Sequence, residues 1–243
     1  MLESRLMRSW LALSISTLFF TFILSAQTAS EVEITSEPNH HLALENHYVR
    51  VFKVEVAPHA STLMYRHRYD YIVVNLGPSL VVSEVAGKPA VTLKLQDGET
   101  RFVPGEFTQV AKNLSDQPFR NITIEILQDK KSRAPTSSKV KAKWDEDRGL
   151  HILNGGTQDI LFVKDGVRTS EFQLNPAGVV PKHRDTGPCL IVAVTDLNLR
   201  SEVKTDGEIQ VKAGDVTWIK GGLNRSLTNA GPKNAKFITL EFR

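Results

Sequence analysis

The sequence contains an internal repeat, and this repeat restricts the chain to a duplicated fold. Matching residues are separated by 118 positions in the first part of each copy and by 116 positions in the remainder. The matched pairs are Val49-Arg50 with Val167-Arg168, Pro58 with Pro176, Ser83-Glu84 with Ser201-Glu202, Gly98 with Gly214, Gly105 with Gly221, Asn113 with Asn229 and Glu125 with Glu241. Because turn residues and strand residues match in the same register, chance is a poor explanation. The repeat therefore predicts two copies of one module of about 90 residues.

The hydrophobic pattern within each copy is typical of β-strands. Phe52, Val54 and Val56 alternate with Lys53 and Glu55, which places the apolar side chains on one face of a strand. Residues 91–95 and 122–126 alternate in the same way, and Gly, Pro and Asp residues separate such runs. No long stretch after residue 30 has a helical period. We therefore predict an all-β chain with short connections.

Two segments lie outside the repeated modules. Arg5 and Arg8 precede an apolar run from Trp10 to Leu24, and small residues follow it, which is the order of a secretory signal peptide. Residues 128–149 are charged and rich in Lys and Ser, as expected of a linker. We predict a signal peptide at 1–30, a first module at 45–127, a linker at 128–149 and a second module at 150–243.

This organisation predicts an exported protein, periplasmic or secreted, with no membrane span once the signal peptide is removed. The alternative for the leader is an uncleaved membrane anchor. Residues 31–47, which contain His40, His41 and His47, are polar, and we interpret these histidines as solvated loop residues.

Charge and cysteine content exclude several classes of function. The formal net charge is +3, and the Lys and Arg residues form no basic stripe, so nothing indicates a nucleic-acid partner. The single cysteine, Cys189, cannot form an intramolecular disulfide, and in an exported protein we expect its thiol to be buried.

Two motifs occupy equivalent positions in the two copies. Residues 65–71 in the first copy correspond to residues 183–189 in the second. Further along, Gly98-x5-Pro104-x-Glu106-x2-Gln109-x3-Asn113 recurs as Gly214-x5-Lys220-x-Gly222-x2-Arg225-x3-Asn229. In these motifs the chain resembles the cupin superfamily, specifically its two-domain bicupins, over roughly residues 45–127 and 160–243. The resemblance implies that each copy is a double-stranded β-helix (jelly-roll) barrel.

The resemblance also implies where a metal would be held. The family's first motif contains His-x-His, which places two imidazoles on one interior face of a strand, and a Glu and a later His complete the site. Such ligands suit a divalent transition metal. The corresponding positions are Tyr65, His67, Asp70 or Tyr71, and Gln109 in the first copy, and His183, Asp185, Cys189 and Arg225 in the second. Each copy retains one of the three histidines, so we interpret both metal motifs as degenerate.

Arg225 opposes a metal in the second copy because a guanidinium stays protonated and offers only hydrogen-bond donors. We therefore expect no cofactor. The alternative is a divalent transition metal bound by His67 in the first barrel, or by His183, Asp185 and Cys189 in the second.

Other uses of the same positions remain open. In the first barrel, Tyr65, His67, Tyr69, Tyr71 and Gln109 would line an aromatic, hydrogen-bonding pocket for a small molecule. A further alternative for both barrels is that these side chains simply fill the interior, as small barrels allow.

In the second barrel, Asp185 and Arg225 would form an interior ion pair with His183 bonded to Asp185. Alternatively, Arg225 and His183 would receive an anionic ligand. Trp218 lies on a predicted strand of the second copy, and we expect it in the core or between the barrels.

Taken together, these features predict an exported bicupin that binds a small polar or anionic molecule or serves a structural role, without catalysis and with lost metal sites. The alternative is a metal-dependent cupin enzyme, an oxygenase or isomerase of a small polar substrate. The resemblance further implies a homodimer.

Overall fold

The structure is a computed structural model that describes residues 30–127, 148–184, 187–202, 207–221 and 224–242. The predicted signal peptide lies outside the described residues, except for Ser30. The predicted linker also lies outside them, except for Arg148 and Gly149. Within the described part of the chain, no helix is long and apolar enough to cross a membrane.

The first barrel consists of two five-stranded sheets. Its strands are β1 (Val32–Glu33), β2 (His40–Glu45), β3 (Val49–Val56), β4 (Tyr65–His67), β5 (Tyr71–Leu76), β6 (Ser79–Val85), β7 (Val91–Leu95), β8 (Thr100–Val103), β9 (Phe107–Asn113) and β10 (Phe119–Ile126). A short 3-10 helix, Ile34–Ser36, follows β1. The sheet orders are β1-β4-β9-β6-β7 and β2-β3-β10-β5-β8. One hydrophobic cluster takes residues from both sheets, so the sheets pack face to face.

The second barrel repeats this plan with longer strands. Its strands are β11 (Gly149–Lys164), β12 (Val167–Arg184), β13 (Cys189–Ala193), β14 (Leu197–Ser201), β15 (Glu208–Val211), β16 (Val216–Ile219), β17 (Asn224–Asn229) and β18 (Ala235–Phe242). They are ordered β15-β14-β17-β12-β18-β13-β16, and β11 pairs with β12. Strand β12 runs without a break through the region where the first copy has β3 and β4, so it joins both halves of the barrel into one sheet. The prediction of an all-β chain with two tandem barrels is confirmed.

The repeat is reproduced in the strand register. In the first barrel, β10 pairs with β3 so that Glu125 lies opposite Arg50 and Phe119 opposite Val56. In the second barrel, β18 pairs with β12 so that Glu241 lies opposite Arg168 and Ala235 opposite Leu174. Each strand carries the separation seen in the sequence, 118 positions for β3 and β12 and 116 for β10 and β18.

The repeated asparagine fixes the same turns in both copies. The Asn113 amide nitrogen donates to the carbonyls of Val56, Ala57 and Gln117, at 3.1, 3.1 and 2.8 Å. The Asn229 amide nitrogen donates at the same three distances to the equivalent carbonyls, those of Leu174, Asn175 and Lys233. The side-chain oxygens accept from the equivalent backbone amides of Ser115 and Gly231. In each copy, one buried asparagine side chain thus forms hydrogen bonds with several backbone groups of the turns.

The repeated glycine before β9 is required by a close backbone contact. A Cβ atom on Gly105 would lie 2.3 Å from the Tyr69 carbonyl oxygen. On the equivalent Gly221 it would lie 2.2 Å from the Gly187 carbonyl oxygen. Because the obstacle is backbone in both copies, only glycine fits at this position.

The two barrels share one apolar core. Alternate residues of β10 (Ile122, Ile124, Ile126) and of β18 (Ile238, Leu240, Phe242) belong to a single buried cluster with Val49, Val51, Val167 and Leu190. Trp218 packs at this junction, with its ring 5.5 Å from those of both Tyr48 and Phe242. The predicted location of Trp218 is therefore confirmed.

The interpretation of the histidines before β3 as solvated loop residues is wrong for two of the three. His40 begins β2 and is 7% exposed, because β2 pairs with β3 and covers the barrel. His41 is exposed but also lies in β2, and both β1 and β2 belong to the sheets of the first barrel. The described sheets of this barrel therefore extend N-terminal to residue 45, where the first module was predicted to begin.

We predict that Asn113→Ala and Asn229→Ala each lower the free energy of unfolding by about 2–4 kcal/mol, since each removes three hydrogen bonds to backbone carbonyls. Urea denaturation monitored by circular dichroism measures this. Lys94→Ala, at an exposed position on β7, is the control and should change stability by less than about 0.5 kcal/mol. Equal, small effects in all three variants would contradict the assigned role.

Candidate functional site in the first barrel

The two barrels differ in the space they enclose. The first barrel contains a cavity of about 220 Å³, and the corresponding cavity in the second barrel is about 50 Å³. For comparison, an apolar cavity of roughly 150 Å³ is large enough to bind benzene. The first barrel therefore has room for a small organic molecule, whereas the second has room for little more than water.

A chain of hydrogen bonds crosses the wall of the first cavity. Tyr65 and His67 project from β4, and Gln109 on β9 lies directly opposite Tyr65. The Gln109 side-chain oxygen accepts from the Ser83 hydroxyl at 3.0 Å, so its amide nitrogen faces the other two residues. That nitrogen donates to the Tyr65 hydroxyl at 2.9 Å and approaches His67 Nε2 at 3.0 Å. Gln109 thus holds Tyr65 and His67 in fixed positions.

These contacts determine the state of His67. Burial lowers the pKa of His67 to about 3, and the nearby His40 adds to the effect, so the imidazole is neutral. Because Nε2 accepts from Gln109, the proton lies on Nδ1. Nδ1 is buried and has no hydrogen-bond partner among the described residues. His67 therefore carries one hydrogen-bond donor, Nδ1–H, that no described residue accepts.

Tyr71 takes the place that the family motif gives to an acidic ligand. Its ring stacks on His67 with the centroids 4.0 Å apart and the planes 8° from parallel. Burial raises the pKa of both Tyr71 and Tyr65 above the usual range for a phenol, so both hydroxyls stay protonated. The side chains around His67 are thus neutral hydrogen-bonding groups.

A second histidine lines the cavity from β2. His40 Nδ1 lies 2.5 Å from a carboxylate oxygen of Glu37, and both side chains are almost fully buried. Glu37 also accepts from the backbone amide of Leu63 and from the backbone and side-chain amides of Asn39. Burial acts to raise the pKa of Glu37, but these hydrogen bonds outweigh it, and the pKa is lowered. Glu37 is therefore an anionic anchor for His40, held by hydrogen bonds from protein groups.

The remaining wall is mostly apolar. It is formed by valine, leucine and phenylalanine side chains from both sheets, together with Asn121 and Thr123 on β10. The Thr123 hydroxyl donates to the Asn121 side-chain oxygen at 2.8 Å. Arg101 is the one Lys, Arg, Asp or Glu residue of this lining, and it forms an ion pair with Glu99. An apolar wall with a few fixed polar groups is typical of a small-molecule site.

A buried carboxyl lies further along the same face of β10. Glu125 is 1% exposed, stands opposite Tyr71 in the sheet, and has one oxygen 3.3 Å from Arg50. Burial raises the pKa of Glu125 to about 7, even though Arg50 attracts the carboxylate. The carboxyl is thus half-protonated near neutral pH.

Two phenylalanines explain why the second cavity is small. Phe172 on β12 and Phe237 on β18 lie opposite each other and stack with their centroids 5.0 Å apart. The equivalent pair in the first barrel is Val54 and Asn121, which also lie opposite each other. Two aromatic rings therefore occupy the volume that the first barrel leaves open, and the expectation that side chains fill the interior describes the second barrel alone.

The predicted residues of the second barrel lie around this filled interior. Arg225 is 2% exposed, stands opposite His183, and donates to the Lys220 carbonyl at 2.6 Å. The side chain of His183 is exposed, and its Nδ1 lies 2.9 Å from the Pro181 carbonyl oxygen. Cys189 forms no disulfide, is half-buried, and lines the small cavity with Arg225 and His183. Asp185 lies outside the described residues, so the expected Asp185–Arg225 pair stays a prediction.

In the first barrel the structure brings together Tyr65, His67, Tyr71 and Gln109, but it does not include Tyr69. The side chain of Tyr69 is 39% exposed and does not line the cavity. Asp70 accepts a hydrogen bond from the Gly105 backbone amide at 3.0 Å and is also outside the lining.

Sequence reasoning did not identify His40, Glu37, Ser83 or Asn121. Ser83 was placed in the repeat but not in a site. The signal for His40 was the apolar alternation that follows it, Leu42 and Leu44, which indicates a strand and so a covered residue.

The donor set of the first barrel does not fit a divalent transition metal. The family positions hold two protonated phenols and an amide that directs its nitrogen, which carries no lone pair for a metal, toward His67. Within the described residues, no group of three or more His, Cys, Asp and Glu side chains is placed to bind a metal ion. We derive no chemical step through a metal from these residues.

Comparison with known proteins identifies the architecture. No protein-family model matches the chain, and no curated protein matches it by sequence. Solved structures do match.

Oxalate decarboxylase from Lactobacillus farciminis, in a formate complex, matches with a TM-score of 0.59 and 11% identity, and the alignment covers 84% of each chain. A variant of Bacillus subtilis oxalate decarboxylase has a TM-score of 0.59 and 9% identity, covering 84% of this chain and 75% of that one. Vicilin from Solanum melongena has a TM-score of 0.58 and 12% identity, covering 80% and 74%.

The fold is the bicupin fold. The similar structures include both enzymes and a vicilin, so the bicupin fold by itself does not indicate an activity. Function has to be inferred from the interior of each barrel.

We predict that stability falls between pH 5 and pH 8 and that Glu125→Gln reduces this fall. A carboxyl with a raised folded-state pKa stabilises the fold below its unfolded value of 4.5, and this contribution is lost as the pH rises through about 7. At about 1.4 kcal/mol per pH unit, the contribution is on the order of 3 kcal/mol. Urea midpoints of the wild type and the variant at both pH values measure it. Glu55→Gln, at an exposed position on β3, is the control, and equal pH slopes for the wild type and Glu125→Gln would contradict the prediction.

Proposed function

We propose that this protein is an exported bicupin that binds a small, uncharged organic molecule in its first barrel without a metal, while its second barrel is structural. The predicted signal peptide supports export to the periplasm or out of the cell. The proposal assigns no catalytic step to the chain, and we further propose that it forms a homodimer. The bicupin fold itself is shared with enzymes and with a vicilin.

The observation that carries the proposal is the contrast between the two interiors. The strand pairs β3–β10 and β12–β18 have equivalent registers, so the residues compared occupy equivalent interior positions. Only the second barrel places the Phe172–Phe237 pair there. The first barrel places Val54 and Asn121 at those positions and adds a hydrogen-bonded wall of Gln109, Tyr65 and His67. An interior that had only to be filled would not need fixed polar groups around open space.

The chemistry of the first wall supports an uncharged ligand. His67, Tyr65 and Tyr71 are neutral, and the Glu37 carboxylate is already surrounded by four hydrogen bonds. Arg101 is paired with Glu99. A charged ligand would lose its hydration in this cavity without gaining an uncompensated partner of opposite sign.

We predict that toluene binds to the wild-type protein and that Val54→Phe/Asn121→Phe abolishes this binding. The double variant gives the first barrel the aromatic pair that fills the second, so the fold has a precedent in the same chain. Binding is measured by ligand-observed NMR and by the thermal shift with increasing toluene concentration. Benzoate, a charged molecule of similar shape, is expected not to bind.

A matched control is Phe172→Val/Phe237→Asn, which changes only the second barrel. This variant should retain toluene binding in the first barrel. The same control should lower stability by several kcal/mol, because it removes two packed rings. The proposal would be overturned if toluene failed to bind to the wild type, if it bound equally to Val54→Phe/Asn121→Phe, or if benzoate bound more tightly.

We predict that the protein, purified without chelators, contains well below one equivalent of any divalent transition metal. One of the similar structures concerns the Mn(II) centres of Bacillus subtilis oxalate decarboxylase, so manganese is included in the analysis. Inductively coupled plasma mass spectrometry measures the content. Near-stoichiometric metal that is lost in His67→Ala or in His183→Ala would favour a metal-dependent cupin enzyme instead.

A further inference from the structure

The Glu37–His40 pair gives the first cavity a polar group of a second kind. His40 Nδ1 is committed to Glu37 at 2.5 Å, and the ring lies against Tyr65, with centroids 4.7 Å apart, and against Phe52 at 5.9 Å. Since the ring lines the cavity, Nε2 is the nitrogen that can meet a ligand. A carboxylate that accepts from Nδ1 holds the proton on that nitrogen and leaves Nε2 with its lone pair.

His67 provides the complementary group. Its Nε2 accepts from Gln109, so its Nδ1 carries the proton and is buried without a partner among the described residues. Two histidines with different hydrogen-bond partners thus line one cavity. One is held by a carboxylate so that it accepts, and the other is held by an amide so that it donates.

We propose that the ligand of the first barrel is an uncharged molecule with a hydroxyl group that donates to His40 Nε2, and with an acceptor oxygen that receives the Nδ1 proton of His67. This inference rests on the proposed function and specifies the class of ligand. Small hydroxy-carbonyl compounds and hydroxylated ring compounds belong to the class. Glu37 acts through His40 and is a positioning residue.

Phenol and toluene are matched probes for the hydroxyl, because they have nearly the same shape and differ in one group. A buried hydroxyl without an acceptor is penalised, so in an apolar cavity phenol binds more weakly than toluene. We expect phenol to bind to the wild-type protein at pH 8 at least as tightly as toluene, measured by titration calorimetry. His40→Phe should weaken phenol binding by roughly tenfold or more and leave toluene binding within about twofold.

Removing His40 alone leaves the Glu37 carboxylate without one of its hydrogen bonds, so a second variant protects the experiment from misfolding. Glu37→Gln/His40→Phe replaces the buried charge with an amide whose oxygen can still accept from the Leu63 backbone amide. The same selective loss of phenol binding is expected. The inference is overturned if phenol binds distinctly more weakly than toluene to the wild type, or if its binding survives in both variants.

Failure of the inference and failure of the proposed function are distinguishable. If toluene binds and Val54→Phe/Asn121→Phe blocks it, while phenol shows no dependence on His40, the binding cavity stands and the assigned ligand class falls. If neither probe binds to the wild type, both proposals fall.

The role of Glu37 has a spectroscopic test that simple destabilisation would not affect. Nitrogen-15 NMR of labelled histidine at pH 8 should show His40 protonated at Nδ1 and unprotonated at Nε2. Phenol should shift the Nε2 resonance, and toluene should not. Glu37→Gln is expected to mix the two tautomers. A wild-type His40 protonated at Nε2 would overturn the assignment.

Discussion

The two faces of one antiparallel strand pair determine the rest of this molecule. In β10, which pairs with β3 and β5, the side chains of Ile122, Ile124 and Ile126 enter the core shared by the two barrels. Asn121, Thr123 and Glu125 therefore point into the first barrel, because side chains on a strand alternate between faces. Strand β18 divides its residues in the same way. The packing between barrels thus fixes the register, and the register decides which residues form each interior.

The two copies share the contacts that hold the backbone and differ in the residues that fill it. Asn113 and Asn229 bind equivalent carbonyls at the same distances, and Gly105 and Gly221 face equivalent backbone obstacles. At one interior position, by contrast, the first copy has Asn121 and the second copy has Phe237. A change of this kind leaves strand pairing intact and converts an open interior into a packed one. Function can therefore diverge between the copies without any change in the fold.

The sequence predicted those parts of the structure that depend on local pattern. The alternation in 52–56, the turn glycines and the 118- and 116-residue spacings correspond to strands and registers that the structure contains. The contents of the barrels were harder to predict because cavity volume depends on the combined volumes of side chains that lie far apart in the sequence. Phe172 and Phe237 lie 65 positions apart and outside the family's metal motif, so nothing local marked them as a stacked pair. His40 was misread because its burial comes from β2 pairing with β3 over the barrel, and the short alternation of Leu42 and Leu44 in a polar segment is a weak signal for that pairing.

The side chains that contact His67 decide its charge and its tautomer together. A carboxylate beside His67 would keep an imidazolium charged, or would need a cation to balance it, in a cavity with little water. Tyr71 stacks on the ring instead, and burial then favours a neutral imidazole. A neutral His67 can act as a directional donor only if a partner fixes its tautomer, and Gln109 does so through Nε2. The contacts of Tyr71 and Gln109 with His67 are therefore chemically coupled. In the proposed ligand site they suit the oxygen of an uncharged molecule better than a cation.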